Sequence, residues 1–311
     1  MRTAIITGAN GFVGHYLVKL LADQGYRVLA VVRSEKEVFQ NISVIKNVHI
    51  IFCDLNQIAS LNEKIKCNVS ESIFYHLAWA GNSGSGRGDY QLQMDNARYA
   101  VDAAILAQKL GCKRFVVSGS VTQLMYRDYL RQDQVSPEQS VCYAVGKMAA
   151  EAMLKCVCHS IGIELCWAYI ANFYGPDDPT ENFINFLIGK YKAQEVPELT
   201  SAEQLADFMY VTDVARALLF LGERGKANCT YYVGYGNPRP LKEFINLIHN
   251  KIAPGIATGI GTKKFCGSDI DAVQIDYHKL YKDTGFKPKV SFEEGIEILL
   301  NFKEKKQERE L

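Results

Sequence analysis

The sequence predicts an α/β protein: a doubly wound parallel sheet with a smaller C-terminal part. Three observations predict it. Short, almost uninterrupted apolar runs alternate with helical patterns through the first half of the chain. A glycine-punctuated turn joins the first of these runs to the first helix. After about residue 175 the rhythm gives way to loops and mixed pieces. A strand buried on both faces has no solvated side to alternate with, so parallel sheets read as continuous apolar runs.

The elements follow in order. Thr3–Thr7 reads as a buried strand, and Gly14–Gln24 as a helix with Leu17, Leu20 and Leu21 on one side. Arg27–Val32 is the second strand, His49–Cys53 the third and Ser72–Leu77 the fourth. Leu92–Leu110 is a long helix with Ala100, Ala103, Ala104, Ala107 and Leu110 at helical spacing. Arg114–Ser118 is the fifth strand, Tyr143–His159 a helix and Ile163–Tyr169 the sixth strand. Helices must cover both faces of such a sheet, and ligands sit beyond the C-terminal ends of its strands. Pro176, Asp177, Asp178 and Pro179 make a loop. A strand–helix unit falls at Phe208–Leu221, a helix at Leu241–Lys251, a glycine-rich loop at 255–267 and a last helix at Phe292–Phe302. Lys303–Leu311 reads as a charged, frayed helix end.

Lysine and arginine exceed the acidic residues by a single charge, a balance that points away from nucleic acid and other polyanions. No apolar run approaches the roughly 18 residues of a membrane span. Residues 1–14 run straight into a strand and a turn without a secretory leader pattern, so reduced thiols and a cytoplasmic setting are expected for the nine cysteines. Cys156, Cys158, His159 and Cys166 are close in sequence, but small core residues on a helix and strand are expected there, not metal ligands. No metal is expected.

Thr7-Gly8-Ala9-Asn10-Gly11-Phe12-Val13-Gly14 lies between the first strand and the first helix. Glycines let the backbone turn sharply and approach a pyrophosphate, while the helix N-terminus offers free N–H groups to the anion. This points to a dinucleotide, held by Gly8, Gly11 and Gly14. The second strand ends in Arg33-Ser34, where a cation suits a 2′-phosphate and a carboxylate a free ribose. Glu35 comes two residues late for the carboxylate role, so NADP is preferred and NAD is the alternative. Asp54 follows the third strand; it can accept from an adenine amino group or cap a helix. Residues 1–172 are thus expected to bind the dinucleotide, with 208–235 returning to that domain. Residues 173–207 and 236–311 are expected to bind substrate.

Tyr143 and Lys147 stand at i and i+4, on one helical face. A cation beside a phenol lowers its pKa, which prepares Tyr143 to exchange a proton with a substrate oxygen near neutral pH. Ser120, after the fifth strand, can bond the same oxygen.

With these pieces in place the chain resembles, over nearly its whole length, the extended short-chain dehydrogenase/reductases of the NAD-dependent epimerase/dehydratase family. The likeness rests on residues 7–14, Asp54-Leu55, His76-Leu77-Ala78, Asn96, Ser120, Tyr143/Lys147, Asn172-Phe-Tyr-Gly-Pro176, the Asp207–Val214 stretch and Thr284-Gly-Phe-Lys-Pro288. The resemblance implies a Rossmann fold, with Tyr143 as acid/base, Lys147 as its partner and Ser120 as the oxygen's orienter. It adds Asn10, Phe12, Val13, Leu55, Leu77, Ala78, Ser118, Tyr143, Lys147 and Ile170 to the cofactor set. It places substrate at Trp79, Ala80, Gly81, Asn82, Ser120 and Asn172. It also implies a homodimer through the alanine-rich helices 92–110 and 143–159, unless those faces pack on the sheet.

Departures from the family pattern narrow the reaction. The Asp-Glu pair that follows the catalytic hydroxyl in 4,6-dehydratases is Val121-Thr122-Gln123 here, which argues against dehydration. Arg33 tilts the remaining choice toward a keto-sugar reductase, and Glu181-Asn182-Phe183-Ile184 is similar to short 4-keto-hexose reductases. A nucleotide-sugar C4 epimerase with bound NAD is the alternative. The cations that commonly hold a nucleotide diphosphate are missing: Ala206, Tyr169 and Phe265-Cys266 stand in their places, with Lys190, Lys263 or Lys264 as substitutes. A non-nucleotide carbonyl substrate therefore stays open, as does a catalytically silent NADPH-binding scaffold.

Overall fold

The computed structural model describes residues 1–34, 42–127, 139–264 and 275–310. Seven strands form the main sheet: β1 (Thr3–Thr7), β2 (Arg27–Val32), β3 (Val48–Phe52), β4 (Ile73–His76), β5 (Arg114–Ser120), β6 (Glu164–Ile170) and, late in the chain, β10 (Cys229–Val233). Their spatial order is β10-β6-β5-β4-β1-β2-β3, and every pairing is parallel. The order reverses between β1 and β4, and the crevice at such a reversal is where α/β sheets bind ligands.

The helices are α1 (Phe12–Asp23), α2 (Leu61–Lys64), α3 (Tyr90–Lys109), α4 (Val121–Tyr126), α5 (Gln139–Ile161), α6 (Phe183–Lys192), α7 (Val211–Arg224), α8 (Leu241–Ile252), α9 (Lys279–Thr284) and α10 (Phe292–Glu310). One apolar cluster joins Leu17, Val18 and Leu21 of α1 and Val214, Leu218 and Leu221 of α7 to Ala4, Ile6, Val28 and Val116 of the sheet. A second joins α3 and α5 to the alternate strand residues Ile5, Leu29, Phe74, Phe115 and Trp167. Successive strand residues point to opposite faces, so β1 feeds both clusters. Cys166 belongs to the first cluster and Cys158 to the second, while Cys156 is exposed. Among the described residues no group of three or more His, Cys, Asp or Glu is arranged to hold a metal ion.

The alanine face of α3 turns inward. Ala97, Ala100, Ala103, Ala104 and Ala107 are fully or nearly fully buried in the second cluster, where small side chains let the helix lie close to its neighbours. The large apolar side chains left exposed on α3 and α5 are Tyr90, Met94, Val145 and Met153.

The remaining strands, β7 (Asn172–Tyr174), β8 (Leu205–Ala206), β9 (Phe208–Tyr210) and β11 (Arg239–Pro240), form two small pairs. A third apolar cluster gathers residues of α6, α8 and α10 around Tyr174, Phe208 and Tyr210. Two family-like segments prove to be fasteners here. Asp213 on α7 accepts from the backbone N–H groups of Lys289 and Val290 at 2.7 and 2.9 Å and from Arg216. Buried Asp207 accepts from Tyr232 Oη and Gly236 N, tying β9 to the turn after β10. Gly285, at φ 76°, ends α9 in the left-handed conformation that glycine tolerates. No helix among the described residues is long and apolar enough to cross a membrane.

Candidate active site

A cleft of about 790 Å³ opens at the C-terminal edge of the sheet. The turn after β1 forms one part of its lining. Gly8 has φ +69°, and a Cβ there would lie 2.7 Å from Ala78 N. A Cβ on Gly14 would fall 2.0 Å from Gly8 O. These glycines are therefore sterically required: β1, the segment after β4 and the first turn of α1 meet with no room for side chains. Gly11 precedes α1 with no side-chain cap, and no acidic residue occupies the first helical turn. Free N–H groups and the positive end of the helix dipole thus face the cleft, a cradle that fits a dinucleotide pyrophosphate.

Leu77, Trp79, Ser118, Ser120 and Ile170, from the ends of β4, β5 and β6, line the cleft beside Gly8, Gly11, Phe12, Val13 and Gly14. Tyr143 and Lys147 reach it from α5; Asn82 and Asn172 complete the expected residues present. Asn10, Arg33, Asp54, Leu55, Ala78, Ala80 and Gly81 are not in its lining. Arg33 is exposed at the end of β2, the strand next to β1. Asp54 acts as a cap, accepting from Leu55 N at 2.6 Å. Ala80 is pinned by Asn96, which accepts from its N–H at 3.0 Å and donates to its C=O at 2.8 Å. Glu35 and the Phe265-Cys266 pair lie outside the described residues.

Ser120 is both the last residue of β5 and the N-cap of α4. Gln123 Oε1 accepts from its backbone N–H at 2.9 Å, while its hydroxyl donates to Thr122 Oγ1 at 3.1 Å. The Ser120 hydroxyl also hydrogen-bonds Tyr143.

The electrostatics differ from expectation. Burial pushes the Tyr143 phenol above its ordinary pKa, and it outweighs the opposing effects of the Ser120 hydrogen bond and the Arg87 charge. Lys147 lies one helical turn further along α5. Its ammonium donates to Ser118 O at 2.6 Å and sits 3.8 Å from the centre of the Trp79 ring. Burial brings its own pKa down to about 7. The i, i+4 spacing placed the two side chains on one face correctly, but desolvation, a tertiary property, decides the sign. Nearby His76 is buried, shares a 3.0 Å hydrogen bond with Thr7 Oγ1, and is held neutral by burial with a pKa of about 3.

Tyr169 does not stand in for a phosphate-binding cation. Its hydroxyl donates to both carboxylate oxygens of buried Glu151 at 2.7 Å, in a network with Gln123 and Lys155 on the α5 side of the sheet. Lys190 is paired with Glu195, and Lys263 and Lys264 are exposed outside the cleft. Asp178 and Glu181 do line it, so the absence of acids directly after Ser120 does not leave the cleft without carboxylates.

Sequence reasoning missed two cations. Arg87, from the turn before α3, lines the cleft with its guanidinium 4.1 Å from the Tyr143 ring centre. Arg239 on β11 pairs in antiparallel register with Ala206 on β8. It lines a smaller pocket of about 220 Å³ that shares Phe208 with the main cleft.

A family model, NAD dependent epimerase/dehydratase family, matches residues 4–234, and the chain belongs to that family. It is 24% identical to a CDP-abequose synthase of Salmonella typhimurium, over 95% of this chain and 96% of that one. It is 26% identical to a dTDP-6-deoxy-L-talose 4-dehydrogenase (NAD(+)) of Aggregatibacter actinomycetemcomitans, over 80% and 92%. Its fold superposes with a TM-score of 0.79 on a dTDP-glucose 4,6-dehydratase of Bacillus anthracis in complex with NAD, at 16% identity over 99% and 98% of the two chains.

Proposed function

We propose that the chain is an NAD(P)-dependent oxidoreductase acting on a keto or hydroxy carbon of a nucleotide-linked hexose, foremost as a 4-ketoreductase. The observation that carries this is the meeting of Ser120, Tyr143 and Lys147 in one cleft with the glycine turn. A dihydronicotinamide bound there supplies the hydride. Ser120 orients the carbonyl oxygen, and Tyr143 gives it a proton as the carbon accepts the hydride, so that C=O becomes CH–OH. A phenol kept protonated by burial suits this direction. Residues 173–207 and 236–311 carry the sugar nucleotide in this reading. The names of the two curated relatives, one a CDP-sugar and one a dTDP-sugar enzyme, support a nucleotide-linked substrate. The Val121-Thr122-Gln123 sequence after Ser120 favours reduction over dehydration.

Two arginines define the expected selectivity. Arg33, at the end of β2, favours the 2′-phosphate of NADP. Arg239 supplies the phosphate contact that Ala206 does not. Directly opposed residues of an antiparallel pair project from the same face, so the two positions reach the same space. Its nearest carboxylates, Glu293 and Glu243, stand 3.6 and 3.9 Å away, too far to commit the guanidinium by hydrogen bonds.

A panel of nucleotide-linked and free 4-keto-hexoses, assayed with NADPH and NADH, tests the reading. Loss of reduced cofactor matched by the C4-hydroxy sugar, faster with NADPH and with nucleotide-linked sugars, is expected. Arg33→Ala removes the NADPH preference. Arg239→Ala raises KM for the nucleotide-linked sugar about tenfold or more, the scale of one charge-assisted hydrogen bond, and leaves the free sugar unaffected. With the corresponding C4-hydroxy nucleotide sugars and oxidised cofactor, inversion at C4 without net cofactor change would instead assign the epimerase, and elimination of water would assign a dehydratase.

A further inference from the structure

Glu151 lies on α5 two turns beyond Tyr143 and one beyond Lys147, so the three share one helical face. It is 6% exposed, and each of its carboxylate oxygens is committed. Tyr169 Oη donates to both at 2.7 Å, Lys155 Nζ to Oε1 at 2.6 Å and Gln123 Nε2 to Oε2 at 3.0 Å. A carboxylate only accepts and a backbone N–H only donates. The Gln123 amide between them therefore has one workable orientation, its NH2 on Glu151 and its oxygen on Ser120 N at 2.9 Å. A helix cap alone would use only that oxygen. Here the whole side chain is 2% exposed. Gly119 makes the room for it: a Cβ there would lie 2.9 Å from Gln123 Oε1 and 2.3 Å from Nε1 of buried Trp167. Tyr169 stands opposite Gly119 in the β5–β6 register, one residue before Ser120. Helix α4 has six residues, too few to hold a shape of their own, so its first turn sits where these ties put it.

We propose that Gln123 is a positioning residue for Ser120: clamped between the Glu151 carboxylate and the Ser120 N–H, it sets where the Ser120 hydroxyl stands relative to Tyr143. The clamp and the phenol spring from the same face of α5, so Ser120 is fixed against the helix that carries its partner. Without the Gln123 amide the Ser120 N–H loses its acceptor and the start of α4 loses its tie to α5. A displacement of about 1 Å at a reacting group costs on the order of a hundredfold in rate. The effect on turnover rests on the proposed function. The seating of Ser120 does not.

Two readouts test the proposal. In protein labelled with 15N-serine, the Ser120 amide signal is identified by its loss in Ser120→Ala. Gln123→Met keeps the length of the side chain and removes both bonds. It is expected to speed hydrogen exchange at the Ser120 amide about tenfold or more, the scale of one hydrogen bond. The reciprocal variant, Gln123→Glu with Glu151→Gln, keeps an acceptor for Ser120 and a donor–acceptor pair between the two side chains. It is expected to return the exchange rate to within about threefold of wild type. With a nucleotide-linked 4-keto-hexose, Gln123→Met is expected to lower kcat about tenfold or more and to leave KM within about twofold. When Ser120 is already alanine, the same substitution is expected to change kcat by less than about twofold. Should Gln123→Met not fold, Gln123→Leu carries the same comparisons. Equal exchange rates in wild type and the neutral variant overturn the proposal. So does a kcat loss undiminished in the Ser120→Ala background, or a reciprocal variant that exchanges as fast as Gln123→Met. A wild-type protein inactive toward every keto sugar but with the expected exchange pattern supports the seating of Ser120 and speaks against the proposed function alone.

Discussion

Replacing Tyr143 by phenylalanine is expected to lower kcat by about 10²–10⁴-fold, the range that one positioned acid supplies. The substitution removes a single oxygen from a side chain that is 7% exposed and makes an edge contact with Trp79 at 6.3 Å between ring centres. The ring and its packing stay, so folding and dinucleotide affinity are expected to change little. Single-turnover reduction of a nucleotide-linked keto sugar measures the effect. A variant that reduces the sugar at the wild-type rate would remove Tyr143 from the mechanism. A loss confined to KM would make it a binding residue instead.

Substituting Gly14 by alanine should abolish dinucleotide binding. The added Cβ would lie 2.0 Å from Gly8 O and 3.0 Å from Ala9 C, both backbone atoms that cannot swing aside. Relief requires α1 to move away from the β1 turn, and that movement carries the helix N–H groups off the pyrophosphate position. Overpacking of this kind costs about 1–3 kcal/mol of stability. That is survivable in a fold whose α1 also buries Leu17, Val18 and Leu21. The expected result is thus a folded protein, cooperative in thermal denaturation, whose Tm no longer rises with NADPH or NADH. An unchanged ligand-induced Tm shift would show that the turn is not the cofactor cradle. Gly25 is the internal control, because a Cβ there meets nothing within 4 Å; its positive φ of 78° makes alanine strained locally but harmless to the cleft.

What the sequence revealed, and what it hid, follows the range of the physics involved. The β1–turn–α1 unit was legible because its steric demands lie within a few residues. Tyr143 and Lys147 were legible as a pair because helical spacing puts i and i+4 on one face. The strands were legible because burial on both faces writes itself as continuous apolar runs, although β5 extends to Ser120 and α5 begins at Gln139, beyond the expected ends. The hidden parts depend on segments distant in sequence. Arg87 meets Tyr143 only because Gln93, bonded to the carbonyls of Gly81 and Gly86, folds the turn before α3. Arg239 meets Ala206 only through the β8–β11 register. Tyr169 looked like a lost phosphate contact because family position suggested one, whereas its hydroxyl belongs to Glu151. The direction of the Tyr143 shift was missed for the same reason: burial is set by the whole fold, and here it outweighs any charge read from neighbouring positions.

The most direct test of the central claim is isotope transfer. The protein is incubated with a nucleotide-linked 4-keto-hexose and NADPH carrying deuterium at the transferable C4 position. The account predicts one deuterium bound to C4 of the sugar product in wild type and almost none with Tyr143→Phe over the same interval. Sugar product free of deuterium while cofactor is consumed, or no reaction with any keto sugar under conditions where the dinucleotide binds, would contradict it.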